Sequence, residues 1–151
     1  MDKVIRQVNR MNGTIKIPFV SKLIHLFLRI IYCCDIMPGT KIGEGTRFPH
    51  RGLGVVINKN AVIGKNCIVE ANVCIGGNGK TREGIVAPQI GDNVLIGSNS
   101  VIIGPINIGS NVKIGAGSVV VKDVPDNSVV VGNPGHVVSG SCTNHETGKT
   151  G

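Results

Sequence analysis

The strongest constraint on this fold is a six-residue period in the second half of the chain. From Ile90 to Val120 an aliphatic residue opens every hexad, in the run IGDNVL, IGSNSV, IIGPIN, IGSNVK, IGAGSV. The period is neither the 3.6 of a helix nor the 2 of an isolated strand. Hexapeptide repeats are typical of parallel β-helices, in which three short sides make a coil of about eighteen residues. The sequence therefore predicts an all-β solenoid over residues 35–138.

The hexad pattern also assigns roles within each coil. The aliphatic residue is expected to point inward and to stack on its equivalents in neighbouring coils. Gly and Asn are expected at the corners, where a positive φ is tolerated best. The hexads between Ile36 and Val120 correspond to roughly four to five coils.

Two interruptions break the period. Phe48 and Ile57 are nine residues apart, and Ile75 and Ile90 are fifteen apart, where six would be expected. Insertions in a solenoid leave it as loops on one face, often the binding face. The first interruption carries His50, and the two loops, about one coil or more apart, can lie near one another in space.

The chain flanking the repeat divides into two segments. We expect an N-terminal helical segment over residues 1–34 and a polar, flexible tail over residues 139–151. Within 17–34, Leu23, Phe27, Ile30 and Ile31 recur at helical spacing after Ser21, a candidate N-cap. Two interpretations stay open for this helix. It packs on the solenoid, or it makes a peripheral contact with the inner membrane surface.

Composition excludes several classes of function. The net charge is +7, but no basic run, aromatic interleaving or nucleic-acid motif accompanies it, so no nucleic-acid partner is predicted. The five cysteines form no CxxC pair and no leader peptide precedes them, which indicates a reduced, cytoplasmic protein. Cys67 is expected to fill the core. No metal site is predicted, because His25, His136 and His145 lie in no cluster with ligand spacing.

Five stretches carry a resemblance to a known family: DIMPGTKIGEGTRFPH, VVINKNAVIGKNC, IGGNGK, IGAGSVVVKDVP and VVGNP. The chain resembles the hexapeptide-repeat acyltransferases over residues 35–138. It is most similar to their serine acetyltransferase branch, including the short colanic-acid and capsule-cluster O-acetyltransferases. The resemblance implies a left-handed parallel β-helix, a homotrimer and acetyl-CoA as co-substrate.

The resemblance also implies the site residues. His50 matches the family's catalytic base and Asp35 its carboxylate partner. Such chemistry needs a base near neutral pKa to take the proton of the attacking hydroxyl. Residues matching the coenzyme A segments are Gly76, Gly77, Lys80, Gly97, Ser98, Ala116 and Lys122.

Departures from the serine enzyme bear on the acceptor. Pro49 stands where the serine enzyme has Asp before the catalytic His. Its Arg-His pair, which helps hold the serine carboxylate, is replaced by the run 85–88, which includes Ala87, although Arg82 lies nearby. We therefore expect a hydroxyl of a surface-polysaccharide sugar or its precursor to be the acceptor. The alternatives are serine, a structural β-helix with an inactive site, and a γ-type carbonic anhydrase, whose three histidine ligands the repeat lacks.

Overall fold

A computed structural model describes residues 18–139 of the chain. Within this range the chain forms one α-helix, α1 (Pro18–Ile31), followed by short strands. Pro18 suits the first helical position, because the amide that it lacks would be unpaired there. The helix begins three residues before Ser21, so the expected N-cap at Ser21 is wrong. Within the described residues, no helix has the length and apolar character needed to cross a membrane.

Fourteen strands follow α1, each two to four residues long. They are β1 (Asp35–Ile36), β2 (Lys41–Ile42), β3 (Val56–Ile57), β4 (Val62–Ile63), β5 (Ile68–Val69), β6 (Cys74–Gly76), β7 (Gln89–Ile90), β8 (Leu95–Ile96), β9 (Val101–Ile103), β10 (Asn107–Ile108), β11 (Lys113–Ile114), β12 (Val119–Val120), β13 (Val129–Val131) and β14 (His136–Ser139).

The strands form three sheets that the chain visits in turn. Sheet A has the order β1-β3-β6-β9-β12, sheet B β2-β4-β7-β10, and sheet C β5-β8-β11-β13-β14. Every pairing is parallel except that of β13 with β14. The protein is therefore rich in parallel sheet, as the hexad period predicts, and each of β1 to β12 corresponds to one hexad.

The core is a set of stacked aliphatic columns. In sheet A the inward column is Ile36, Ile57, Ile75, Ile102 and Val120, all buried. These are the residues that open the hexads. Burying each such side chain contributes about 1.5–3 kcal/mol, so the columns supply most of the driving force in a chain with so few aromatics. Cys67 is fully buried and fills core space as expected.

The register locates both interruptions. Along sheet A the partners of Asp35 are, in order, Val56, Cys74, Val101 and Val119, at intervals of 21, 18, 27 and 18 residues. The extra three residues precede β3, and the extra nine follow β6. Because both interruptions fall between strands, neither disturbs the register of the core.

The corners use Gly and Asn for different reasons. Asn93 and Asn111 have φ values of 57° and 59°, and their side chains form a hydrogen-bonded ladder with Nδ2–Oδ1 distances of 3.2 Å that continues to Asn127. Gly91 does not have a positive φ. A Cβ there would lie 2.6 Å from Ser110 Oγ and 2.9 Å from the Gly109 carbonyl carbon. Gly therefore permits close approach of successive coils at this corner, and Asn supplies the positive φ.

The C-terminal end of the stack is covered on all three sheets. Strand β14 runs antiparallel to β13 on sheet C. On sheet A, Val119 N–H donates to Gly132 O, and Gly135 N–H donates to Val119 O. On sheet B, Val124 bridges Ile108. The segment after β12 thus pairs with the last strand of each sheet.

Helix α1 packs on the other end through an unexpected stripe. Leu28 is fully buried, and Ile24 packs partly against the core. The residues singled out by helical spacing, among them Leu23, Phe27 and Ile30, are exposed instead. The helix docks through the narrow Ile24–Leu28 stripe, which the helical spacing did not single out.

Candidate active site

His50 lies on the first interruption, in a tight 3₁₀ turn spanning Pro49–Gly52. The buried ring of Phe48 anchors the chain just before the turn. His50 and Arg51 have φ values of 55° and 61°, a left-handed conformation that non-glycine residues rarely adopt. Such strain is typical of functional sites. The His50 ring is exposed and makes no hydrogen bond with the described residues.

Asp35 lies one coil earlier, at the start of β1 and at the same corner of the stack. Its Oδ1 is 2.7 Å from His25 Nε2, and its Oδ2 is 3.9 Å from an Arg29 guanidinium nitrogen. Both partners come from α1. Among residues 18–139, no hydrogen bond joins Asp35 to His50, so a direct pair between them stays a prediction.

His25 is the residue that sequence reasoning undervalued. It lies four residues before Arg29 and therefore on the same face of α1. The spacing was visible in the sequence. The sequence could not indicate that this face turns toward β1. Only two residues, Ile24 and Leu28, dock the helix, and so short a stripe does not stand out in the sequence.

A shallow cavity opens beside this cluster. Its lining residues are Arg29, Cys33, Cys34, Asp35, Gly54 and Val56. Burial, followed by the nearby Asp35 charge, raises the pKa of the Cys34 thiol to about 11. Cys34 is therefore a neutral thiol at physiological pH and contributes bulk to the cavity wall.

Backbone hydrogen bonds run along this corner from coil to coil. Gly54 N–H donates to Cys33 O at 2.8 Å, and Asn72 N–H donates to Leu53 O at 2.8 Å. The series continues with Asn99 to Ala71 at 3.1 Å and Gly117 to Ser98 at 2.9 Å. We call this corner, from Cys33 to Gly117, the histidine edge.

Three of the predicted coenzyme A residues lie on the histidine edge. Gly97 and Ser98 follow β8, and Ala116 occupies the equivalent turn one coil later. A Cβ on Gly97 would lie 2.6 Å from Ala116 N. Gly97 is thus needed for contact between coils, whatever else it binds.

The other predicted coenzyme A residues lie at the opposite end of the sheet A strands. Gly76 ends β6, Gly77 and Lys80 belong to the second interruption, and Lys122 follows β12. We call this corner the insertion edge. Within one chain the structure therefore divides the predicted coenzyme A residues between two edges. The two interruptions also lie on different edges, the first on the histidine edge and the second on the insertion edge.

Arg82 joins the second interruption to the last coil. Its guanidinium donates to both carboxylate oxygens of Asp123, at 2.8 and 3.1 Å. These hydrogen bonds, with the Asn107 N–H that donates to Asp123 Oδ1, hold the pKa of Asp123 below its usual range. Arg82 is therefore already paired with a carboxylate inside the chain.

A second cleft, of about 320 Å³, lies beside the second interruption and was not expected from the sequence. Lys41 and Lys59 line it from sheet B and the preceding corner, and Ile85 and Val86 close it. Gln89 Nε2 donates to Ala87 O at 2.9 Å and braces the loop. Within residues 18–139, no three side chains of His, Cys, Asp or Glu are grouped so as to hold a metal ion.

The repeat itself matches a family model. Residues 87–122 match the bacterial transferase hexapeptide model, described as six repeats. The chain carries the bacterial transferase hexapeptide repeat. The matched residues contain β7 to β12, with Gly97, Ser98 and Ala116 on the histidine edge and Lys122 on the insertion edge.

Proteins similar to this hexapeptide-repeat chain are serine acetyltransferases. It is 51% identical over 109 residues to serine acetyltransferase 1, chloroplastic, of Arabidopsis thaliana, covering 72% of this chain and 34% of that protein. Two solved serine acetyltransferases each match with a TM-score of 0.77. The Brucella abortus enzyme in complex with coenzyme A is 32% identical, covering 83% of this chain and 50% of that one. The Neisseria gonorrhoeae enzyme in complex with serine is 35% identical, covering 88% and 54%.

The chain is shorter than the relatives that it matches. The chain spans from about a third to about half of the curated relatives that it matches.

Proposed function

We propose that this protein is an acetyl-CoA-dependent O-acetyltransferase in which His50 is the general base. The observation that carries the proposal is the similarity to serine acetyltransferases across the repeat, including one solved with coenzyme A. The exposed imidazole of His50, raised from the wall on a strained turn, supports the assignment of the base.

The proposed chemistry is direct transfer. A ring nitrogen of His50 takes the proton of the acceptor hydroxyl as its oxygen attacks the thioester carbonyl. The tetrahedral intermediate then expels coenzyme A thiolate, which receives the proton from the imidazolium. Asp35 would stabilise that imidazolium by its negative charge on the same edge. A positioned base of this kind contributes about 10²- to 10⁴-fold in rate.

Binding of coenzyme A is proposed to need more than one chain. The residues assigned to it lie on two edges, one at each end of the sheet A strands. A groove between neighbouring copies would bring the histidine edge of one copy next to the insertion edge of another. A homotrimer of left-handed coils, which the family resemblance implies, provides such grooves. Lys80 and Lys122 on the insertion edge would meet the phosphates.

Serine is the acceptor that the comparisons favour. The relatives are named serine acetyltransferases, and one of the solved structures holds serine. This reverses the order of the sequence-based hypotheses, in which serine was the alternative and a saccharide the main expectation.

A saccharide hydroxyl is kept as a second candidate because of two specific observations. Pro49 has no charged group to offer a serine ammonium. Arg82, the arginine closest in sequence to the lost clamp, is bound to Asp123 at both carboxylate oxygens. A neutral acceptor does not require a free arginine.

The test is an assay of thiol release from acetyl-CoA with the purified chain. Serine and a panel of sugars and nucleotide sugars are offered in parallel, and His50→Ala is the control. Serine-dependent turnover that disappears in His50→Ala supports the first candidate. Turnover with a sugar alone selects the second. Activity unchanged in His50→Ala removes His50 from the mechanism.

A further inference from the structure

Helix α1 carries three separate stripes of side chains. Ile24 and Leu28 face the core, and Lys22, His25 and Arg29 form a basic stripe beside them, at spacings of three and four residues. The remaining stripe is apolar and points away from the protein. We call it the outer face of α1; it consists of Leu23, Leu26, Phe27, Ile30 and Ile31.

The outer face is unusually exposed for its composition. Its five side chains are between 43% and 66% exposed, whereas Leu28 on the same helix is fully buried. Contiguous apolar surface of this kind marks an interaction site. Other exposed apolar residues in the described chain, such as Leu53 and Val121, lie in separate coils.

The charge around the outer face indicates what it contacts. Lys22 and Arg29 flank it, and α1 contains no acidic residue. In the sequence, Lys3, Arg6, Arg10 and Lys16 precede the helix against a single acid, Asp2. A second copy docked through the same face would bring these like charges together. An anionic surface would neutralise them.

We propose that the outer face of α1 binds the surface of an anionic lipid bilayer. With 14 residues the helix is about 21 Å long, shorter than the hydrocarbon core that a spanning helix must cross. It would therefore lie in the plane of the interface, with the apolar stripe among the acyl chains and the basic stripe at the headgroups. Because α1 also contacts Asp35, the histidine edge would be held close to the bilayer.

The test is co-sedimentation of the full chain with vesicles. One set contains phosphatidylcholine alone, and the other phosphatidylcholine mixed with phosphatidylglycerol. We expect binding to the mixed vesicles that weakens as salt is added. The triple variant Leu23→Gln, Phe27→Gln, Ile30→Gln should lose affinity for the mixed vesicles by a factor of about ten or more. Lys22→Gln should bind about fivefold more weakly, because each basic residue near such a surface contributes about 1 kcal/mol.

A double variant at Val137→Gln and Val138→Gln is the matched control, since both side chains are exposed on β14, far along the chain from α1. It should bind like the native protein. Three results overturn the proposal: no sedimentation at low salt, equal binding to both vesicle sets, or equal loss in the control. Light scattering provides a fourth such result. If the native chain does not bind vesicles and the triple variant forms a smaller oligomer, the outer face of α1 makes contacts between copies of the chain.

Discussion

His25 and Asp35 are joined by a hydrogen bond of 2.7 Å that ties the helix to the first strand of the repeat. The pair is only partly exposed, at 22% and 32%. It therefore positions the carboxylate that the family resemblance assigns to the active site, and it ties the middle of α1 to the start of β1.

This contact predicts energetic coupling between the two residues. In a double-mutant cycle with His25→Ala and Asp35→Asn, we expect a coupling of about 0.5–1.5 kcal/mol in the free energy of unfolding. Urea denaturation of the four proteins measures it. Strictly additive effects would mean that the contact does not contribute in solution.

His50 and His25 should differ in their kinetic effect. His50→Ala is expected to lower kcat by about 10²- to 10⁴-fold, because it removes the proposed base. His25→Ala should leave a larger residual kcat, because His25 acts through Asp35. Steady-state kinetics with thermal melts of both variants make the comparison. A reversed order would assign the base to His25 instead of His50.

The Arg82–Asp123 pair predicts that removing either partner has the same effect on stability and on KM. Arg82→Ala and Asp123→Asn both break the pair and should change global stability little, because the pair is exposed. If Arg82 does not touch the acceptor, the two variants should show equal KM values for it. A raised KM in Arg82→Ala alone would make Arg82 an acceptor contact.

The lowered pKa of Asp123 gives this pair a pH dependence. Arg82 favours the charged carboxylate, and the folded-state pKa of Asp123 therefore lies below the usual range. The contribution of the pair to stability is present at neutral pH. It is lost as the pH falls through the folded-state pKa in the acid range. Proteolysis within the second interruption should therefore accelerate in acid, and Asp123→Asn should abolish that acceleration.

The asparagine ladder predicts a graded loss of stability. Asn111→Gly keeps a residue suited to a φ of 59° but removes two side-chain hydrogen bonds. Asn111→Ala loses the same bonds and adds about 1–2 kcal/mol of backbone strain. We expect Asn111→Ala to be the less stable of the two in urea. Lys113→Ala, at an exposed strand position, serves as the control and should be near neutral.

The thiols should react unequally. Cys33 is exposed, whereas Cys34 is buried and its pKa is raised to about 11. Alkylation at neutral pH should modify Cys33 well before Cys34, because only the thiolate reacts. Mass spectrometry of Cys33→Ser and Cys34→Ser variants separates the adjacent positions. Faster labelling in Cys33→Ser than in Cys34→Ser would contradict the burial of Cys34.

The periodic part of this fold was predictable because the period acts directly on packing. Each hexad opens with the side chain that enters the core, so Ile90 to Val120 could be assigned without structural knowledge. The same holds for the interruptions at Phe48 and Ile75, since a register of 18 makes every extra residue visible. The role of Gly91 was not predictable, because its neighbour in space is eighteen positions away.

The site was predictable only in part. The turn at His50 could be located, but its left-handed backbone could not, because Arg51 is not a residue type that usually takes that conformation. The partner of Asp35 was missed because it lies on a helix outside the repeat, where the period carries no information. The direction of the apolar stripe of α1 stayed open for a related reason: spacing shows that residues share a face, not which way the face turns.

The segment after β12 makes the assembly of coils finite. A parallel stack whose last strands kept free N–H and C=O groups would offer a template for another chain to add in register, and then another. Here β14, Gly132 and Val124 occupy those groups on sheets C, A and B in turn. A chain shortened before Gly132 would keep its core columns but expose a growing tip, and its characteristic failure would be fibre formation instead of unfolding.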